Sequence, residues 1–556
     1  MRLVVDLTRC QGYAQCAFLA PDVFTMRGEE SLMYDAEPDD QQRERILRAA
    51  AACPVQAIVL DRLDGGAGGR GGSDATTAQG QTPLGQDAST RSPVASSRSR
   101  VERITIVGAS LAGLRAAAAL RTEGFTGELT LVGDEPHAPY DRPALSKYVQ
   151  TGRVPAQRTS LPRSDGIDAR WMLGTGASGL DLGAKEVVLA DGRRVGYDRV
   201  LLATGVRARP WPDPTEAALD GMFVLRTRDD PELLRQRLAT EPRRVLVIGA
   251  GFTGSEIASD CCELGIPVTV AERGPTPLAG ALGGVLGATA ARMQRKHGVD
   301  LRCGVIVTAL EGDADGHLCR AKLSDGSVLD VDVAVAALGA VRNVEWLHDS
   351  GLAAGMWGVG CDAGCRAFDV NGLVTDDVFV AGDVARFPHP VYDYQLLALE
   401  HWGNAVSQAE IAAHNMLSAE TERWPHLALP VFWSTQFGTE IKSVGVPTYA
   451  DEVVIAQGSL DDGRFVAAYG YQGRITAAVC FDQGKWLDFY ARLIDGRAPF
   501  PSAFHAVDQP DTLTPVPAEI PDQALPSHSA TVVVTGHQPS DRRATLVHAG
   551  DPSGGV

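Results

Sequence analysis

Two glycine-built strand–turn–helix units constrain this chain more than any other feature. The first runs Arg103-Ile104-Thr105-Ile106-Val107-Gly108-Ala109-Ser110-Leu111-Ala112-Gly113: a β-branched strand, a tight turn of small residues, then an Ala-rich helix to about Leu120. Free N–H groups and the positive dipole end at the start of that helix make a seat for a pyrophosphate. Gly108 permits the sharp turn and Gly113 lets helix and strand pack closely. Ser110 replaces the middle glycine, which crowds the pyrophosphate slightly but leaves an N–H available. About twenty residues on, the strand at 129–132 ends in Asp134-Glu135, where a ribose hydroxyl is expected to bind. A second unit spans 245–254, and its Gly249, Gly251 and Gly254 complete the full G-x-G-x-x-G. The strand after it ends at Glu272, placed to accept from a ribose diol and repel a 2′-phosphate. Arg273 beside it pulls the other way, and the balance favours NADH over NADPH. Gly339 closes this second unit in Ala337-Leu338-Gly339.

Two such units predict an α/β chain with two Rossmann-like dinucleotide-binding domains, the first for FAD and the second for NADH, the pattern of a flavoprotein reductase. At 556 residues there is room for roughly three to four domains. A net charge of −18 argues against nucleic acid and anionic lipid as partners. No long apolar run predicts a membrane span, and an acid at Asp6 interrupts any leader-like core, so a cytoplasmic protein is expected. Ten cysteines in a reducing compartment point to ligands or buried apolar residues rather than disulfides.

Residues 1–62 form a separate small α+β unit with Cys10, Cys16 and Cys53-Pro54. Tyr13 stands where a C-x2-C-x2-C cluster loop has its middle cysteine, and Cys-Pro closes that pattern. Soft thiolates on a tight loop suit iron–sulfur ligation, and three of them favour a 3Fe–4S cluster over a 4Fe–4S one. Residues 39–51 should be helical and carry Cys53 back to the loop. The acids Glu29, Glu30, Asp35, Glu37, Asp39 and Asp40 give the unit an acidic half, suited to a basic partner or simply to solvent. Through its three cysteines and the Val55-Gln56-Ala57-Ile58 that follows, the unit resembles the single-cluster ferredoxins that feed bacterial cytochrome P-450 monooxygenases. Residues 63–100 are Gly-, Ser- and Thr-rich with too few apolar residues to fold, a disordered linker spanning roughly 35 Å r.m.s.. Such a tether makes a weak electron-transfer encounter frequent without a permanent interface.

The remainder divides into FAD-binding segments at 101–220 and 341–426, an NADH-binding domain at 221–340, an α+β C-terminal domain at 427–515 and a disordered tail at 516–556. Pro139-Tyr140-Asp141-Arg142-Pro143-Ala144-Leu145-Ser146-Lys147 makes the likeness specific: the chain resembles the oxygenase-coupled ferredoxin reductases, the putidaredoxin-reductase-like group of the glutathione-reductase superfamily. The resemblance implies that Lys147 sits by the flavin and that Asp134 meets the adenosine. It also implies FAD contacts from Ala112, Arg142, Ala177, Thr204-Gly205, Arg226, Asp383, Trp402 and Trp433. Thr435 replaces a common aspartate and Ala398 an arginine. Disulfide reductases of the superfamily carry a redox cysteine pair here, and residues 135–160 contain no cysteine. The electrons must leave elsewhere, and the fused ferredoxin is the obvious acceptor, with a cytochrome P-450 or other oxygenase beyond it. No side chain is needed as acid, base or nucleophile. Phe252 and Glu256 face either the nicotinamide or ordinary packing; Cys261, Cys262, Cys361 and Cys365 are expected to be structural. An NADH oxidase using dioxygen directly and a redox-sensing module are the alternatives.

Overall fold

The computed structural model describes residues 1–28, 30–60, 101–149, 151–152, 154–162, 167–501, 513–516, 530–535 and 543–548. The expected linker at 63–100 and most of the tail lie outside them. Among the described residues no helix is long and apolar enough to cross a membrane.

The first unit contains β1 (Leu3–Val5), α1 (Gln15–Leu19), β2 (Phe24–Arg27), β3 (Ser31–Tyr34), α2 (Arg43–Ala52) and β4 (Ile58–Leu60). Strands β1 and β4 pair antiparallel, as do β2 and β3. Helix α2 buries Ile46 and Ala49 and delivers Cys53 as its C-cap, as its amphipathic pattern requires.

From 103 the chain builds β5 (Arg103–Val107), α3 (Leu111–Thr122), β6 (Glu128–Val132), β7 (Arg170–Met172) and β8 (Arg199–Leu202). It crosses into a second domain with β9 (Met222–Phe223), β10 (Val245–Ile248), α4 (Phe252–Glu263), β11 (Val268–Glu272), β12 (Asp300–Cys303) and β13 (Val333–Ala336). Strands β14 (Arg366–Phe368) and β15 (Val374–Val380) and helix α5 (Trp402–Leu417) return to the first domain. The first sheet has order β14-β15-β8-β5-β6-β7, parallel except at β14; the second is fully parallel with order β9-β13-β10-β11-β12. Chain order reverses beside β5 and beside β10, so each Gly-rich turn opens at a switch-point crevice, where such sheets bind ligands. Helices α3 and α5 pack through Ala112, Ala116 and Ala117 against Ala405, Ala409, Ala412 and Ala413; small side chains allow that close approach.

The C-terminal domain comprises β16 (Val431–Gln436), β17 (Thr439–Gly445), β18 (Glu452–Ser459), β19 (Arg464–Tyr471), β20 (Arg474–Phe481), α6 (Leu487–Asp495) and β21 (Thr514–Val516). They form one antiparallel sheet of order β16-β17-β20-β19-β18-β21 under α6. The tail departs from expectation. Ala530–Thr535 and Arg543–His548 pair as an antiparallel hairpin, because the β-branched run at 531–535 finds a second strand-former to pair with.

The small unit is not merely tethered. Its core is continuous with Leu114, Leu161 and Trp433 of the larger part. Side chains and backbone also meet across the join: Tyr34 to Asp141, Ser31 to Thr435, Lys442 to the Cys10 carbonyl, and the Gly484 N–H to Glu30. The tethered encounter expected from the sequence is thus a docked arrangement with a packed apolar interface.

Candidate functional site

A cavity of about 1080 Å³ runs from the β5–α3 turn to the C-terminal sheet. Gly108, Ser110, Ala112, Asp134, Glu135, Arg142, Lys147, Ala177, Thr204, Gly205, Arg226, Asp383, Trp402 and Trp433 all line it. Gly108 has φ +119°, and a Cβ there would lie 2.0 Å from the Ala203 carbonyl. That close approach is why the turn needs glycine. Gly113 lies behind the wall, where a Cβ would meet the Gly108 carbonyl at 2.0 Å. Ser110 is the N-cap of α3 and makes no side-chain cap, so the first N–H groups remain available to an anion.

The acids divide their tasks. Asp134 is exposed on the wall. Glu135 is ion-paired with Arg142 and accepts from the Tyr140 hydroxyl at 2.6 Å, while Arg142 also donates to the Arg226 carbonyl at 2.9 Å. Arg226 pairs with Asp383 at 3.3 Å. Thr204 donates to the Asn343 carbonyl at 2.8 Å, and Asn343 returns a bond to the Thr204 carbonyl at 2.9 Å, tying the two interdomain crossings together.

At the far end Lys147 is buried and ion-paired with Glu256 of α4. The same carboxylate accepts from Ser146 at 2.6 Å and Ser434 at 2.5 Å. Glu256 therefore joins three domains around the lysine, a role its position in a helix interior did not reveal. Phe252 also lines the cavity, its ring 3.8 Å from that of Phe432. His401, N-cap of α5, is held neutral by burial, which pushes its pKa down to about 4. Its Nδ1 and the Nε1 of Trp433 are buried in the wall without hydrogen-bond partners. Orphaned polar atoms in a large apolar-walled cavity are what a polar-edged planar ligand would satisfy; the residues present fit a flavin.

The second Gly-rich turn lies off this cavity. Gly249 has φ +102°, and a Cβ on Gly254 would lie 2.0 Å from the Gly249 carbonyl, repeating the geometry of Gly108 and Gly113. Gly251 opens on free space. The Glu272 carboxylate turns back to accept from Ala250 N at 2.7 Å and Gly274 N at 2.6 Å, bracing the turn. Gly339, φ +83°, follows β13. From the helix that follows this turn, Phe252, Thr253 and Glu256 reach the large cavity and line it.

Cys10, Cys16 and Cys53 line one small cavity with Gly12, Tyr13 and Pro54. Gly12, φ +70°, brings the loop against Glu30, where a Cβ would meet backbone at 3.0 Å. Burial, then the neighbouring Cys10 sulfur, pushes the Cys16 thiol up to about 11, and Ala57 N donates to the Cys53 sulfur at 3.3 Å. Three clustered sulfurs with an amide aimed at one of them fit an iron–sulfur cluster. Among the described residues no fourth cysteine lines this cavity. Tyr13 turns its hydroxyl to Gln11 at 2.7 Å.

Sequence reasoning missed Asp141. It is buried between the units, accepting from Tyr34 of the small unit at 3.2 Å and from Trp402 at 3.1 Å. Of the four cysteines expected to be structural, Cys261, Cys361 and Cys365 are buried and Cys262 is half-buried.

Comparison with known proteins agrees with this layout. Residues 102–409 match the pyridine nucleotide-disulphide oxidoreductase model, 5–60 the 4Fe-4S single cluster domain of ferredoxin I, and 431–514 the reductase C-terminal model. Rhodocoxin reductase of Rhodococcus erythropolis is 35% identical over 365 residues, 65% of this chain and 82% of that protein. Putidaredoxin reductase CamA of Pseudomonas putida is 31% identical over 405 residues, 69% and 91% of the two chains. The covalent putidaredoxin reductase–putidaredoxin complex superposes with TM-score 0.67 at 29% identity, over 72% of this chain and 94% of that one. The chain therefore belongs to the pyridine nucleotide-disulphide oxidoreductase family, with a ferredoxin domain ahead of the dinucleotide-binding pair and a reductase C-terminal domain behind it.

Proposed function

We propose that this protein carries electrons from NADH, through FAD in the large cavity, to a 3Fe–4S cluster on Cys10, Cys16 and Cys53, and from there to an oxygenase such as a cytochrome P-450 in the cytoplasm. The observation that carries the reading is Trp433. Its side chain lines the large cavity and also belongs to the apolar core against which Cys10, Cys16 and Cys53 pack, so one ring links the flavin cavity to the core that carries the cluster loop. The resident groups supply the electron chemistry: flavin takes a hydride's two electrons and releases them singly, and the cluster takes one at a time.

The chain's own residues bind, orient and exclude water. The α3 N-terminus and Gly108 seat the pyrophosphate, with Asp134 on the adenosine side. Arg226 and Asp383 hold each other at the middle of the cavity. Glu256 fixes the Lys147 ammonium, and the N-terminus of α5 stabilises negative charge gained on reduction. Phe252 and Phe432 close the cavity between α4 and β16. Gly249, Gly251 and Gly254 receive the second nucleotide, and Glu272 favours NADH over its 2′-phosphate. Rhodocoxin reductase, putidaredoxin reductase and the anthranilate 1,2-dioxygenase reductase component are relatives named for ferredoxin or oxygenase systems, which supports an oxygenase as the last acceptor.

The test is an anaerobic NADH titration of the full chain, with flavin absorbance and the cluster's paramagnetic signal followed in one sample. We expect flavin to bleach and the cluster then to be reduced, and Cys53→Ala to lose the cluster signal while its flavin still bleaches. Bleached flavin beside an intact cluster that stays oxidised would overturn the proposal.

A further inference from the structure

The C-terminal sheet carries a buried cation that its own domain does not need. Lys442, in the middle of β17, is 2% exposed and pairs with Glu440, itself 4% exposed, at 3.3 Å. The two are separated by one residue on a strand, so they share a face. Burying a charge costs several kcal/mol unless it is paired and hydrogen-bonded, and a sheet core has no need of such a pair. The further bond that Lys442 makes leaves the domain altogether: its ammonium donates to the carbonyl of Cys10 at 2.5 Å. Gly484, from the adjoining loop, donates its N–H to Glu30 at 2.8 Å. A Cβ at Gly484 would crowd Glu30 at 2.9 Å and Lys442 at 3.3 Å, so the backbone is pressed between them. Gln11, next to Cys10, donates to Asp488 of α6. The reductase thus presents a fixed positive charge to the cluster loop, and only while the ferredoxin is docked.

We propose that Lys442 is a potential-setting residue for the docked ferredoxin: its ammonium favours the reduced, more negative cluster on the reductase, and undocking removes that preference and makes the electron easier to pass on. A unit positive charge in a low-dielectric interior favours any added negative charge beside it. Glu440 opposes the effect, but the ammonium, not the carboxylate, is the group that touches the Cys10 carbonyl. Coupling is reciprocal: if docking favours reduction, reduction tightens docking by the same factor. The reduced ferredoxin is then held more tightly than the oxidised one, and a competing acceptor must supply the binding free energy that releases it.

The inference rests on the reading of Cys10, Cys16 and Cys53 as cluster ligands, and its test separates the two. Anaerobic potentiometric titrations of the full chain follow the cluster's paramagnetic signal and the flavin absorbance together at pH 8, above the Glu440 value of about 7 to which burial raises it. Lys442→Met should shift the cluster's reduction equilibrium about tenfold toward the oxidised form, a midpoint roughly 59 mV lower. Glu440→Gln should shift it the other way, and the flavin midpoint should stay where it is. Gly28 touches the Gly438 carbonyl across the interface with no room for a Cβ. Gly28→Asn keeps a left-handed-tolerant residue while forcing the units apart, so it should lower the cluster midpoint in the parent chain and not further in Lys442→Met. An unchanged midpoint in Lys442→Met, or additive shifts with Gly28→Asn, overturns the inference. If Lys442→Met loses its cluster, Lys442→Arg and Glu440→Gln decide: a parental midpoint in both overturns it, whereas a raised midpoint in Glu440→Gln supports it. Absence of a cluster signal in the parent chain would instead sink the ligand reading.

Discussion

Asp141 is a single carboxyl that touches both units. It is buried, with Tyr34 of the ferredoxin domain on one oxygen and Trp402 of α5 on the other. Burial pushes its pKa up to about 6, with Tyr34, Trp402 and the Lys147 charge opposing. Below about pH 4 the carboxyl is protonated in the folded and the unfolded chain alike, and stability owes it nothing. Between about pH 4 and 6 the unfolded chain ionises first, so stability falls as pH rises; above pH 6 the full cost, on the order of 3 kcal/mol, applies. Asp141→Asn, whose amide can donate to a turned Tyr34 hydroxyl, should flatten that slope and raise the first urea-unfolding midpoint at pH 7.5. An unaltered slope between pH 4 and 6 would assign the effect to another group.

Helices α3 and α4 are positioned by the same device. In each, the glycine three residues into the Gly-rich helix sits with its Cβ position 2.0 Å from the carbonyl of the turn's first glycine. A methyl group there must push helix from strand. Gly254→Ala should therefore raise the KM for NADH at least about tenfold, the scale of a lost phosphate-binding contact, and leave bound flavin and its spectrum unchanged. Gly113→Ala should do the reverse and release flavin on desalting. Ferricyanide reduction and bound-flavin absorbance measure both. If Gly254→Ala lost flavin instead, the assignment of the two turns would be wrong. The glycines were legible because the need for them is local. Glu256 was not: the same helix carries it, but Lys147, Ser146 and Ser434 reach it from separate stretches of chain.

At the scale of the molecule, the ferredoxin domain covers the tryptophan wall of the flavin cavity in its own chain. Its acidic half is partly spent there, Glu30 on the Gly484 amide and Asp35 on Arg158 at 3.2 Å, while Arg27 pairs with Glu263 at the end of α4. Thr435, which stands where relatives of this type were expected to carry aspartate, meets Ser31 at 2.9 Å, so a neutral hydroxyl pair replaces what would be a charge facing the docked domain. Docking in cis makes electron delivery to the cluster first order. Cytochrome c reduction per chain, with cytochrome c in excess, should be constant as the protein is diluted from about 10 µM to about 10 nM. A rate per chain that falls with dilution would place the transfer between chains. Added salt should slow it only modestly, because the partly exposed pairs are screened and the apolar interface is not.

The sequence by itself determined what depends on near neighbours in the chain: both Gly-rich turns, the strand–helix order around them, the cysteine spacing with Tyr13 at its middle position, and the absence of a redox cysteine pair beside Lys147. Each is a constraint of backbone conformation or ligand chemistry within a few residues. Only the tertiary structure decided what depends on burial and on partners hundreds of residues away. It set Asp141 between Tyr34 and Trp402, gathered three donors on Glu256, and paired the β-branched run at 531–535 into a hairpin. It also aimed Lys442 out of its own domain at the Cys10 carbonyl. The physical reason is the same in each case. The free energy of a buried charge or an unpaired strand is set by what folding brings against it, and alternation along a strand or spacing along a helix does not record that neighbour.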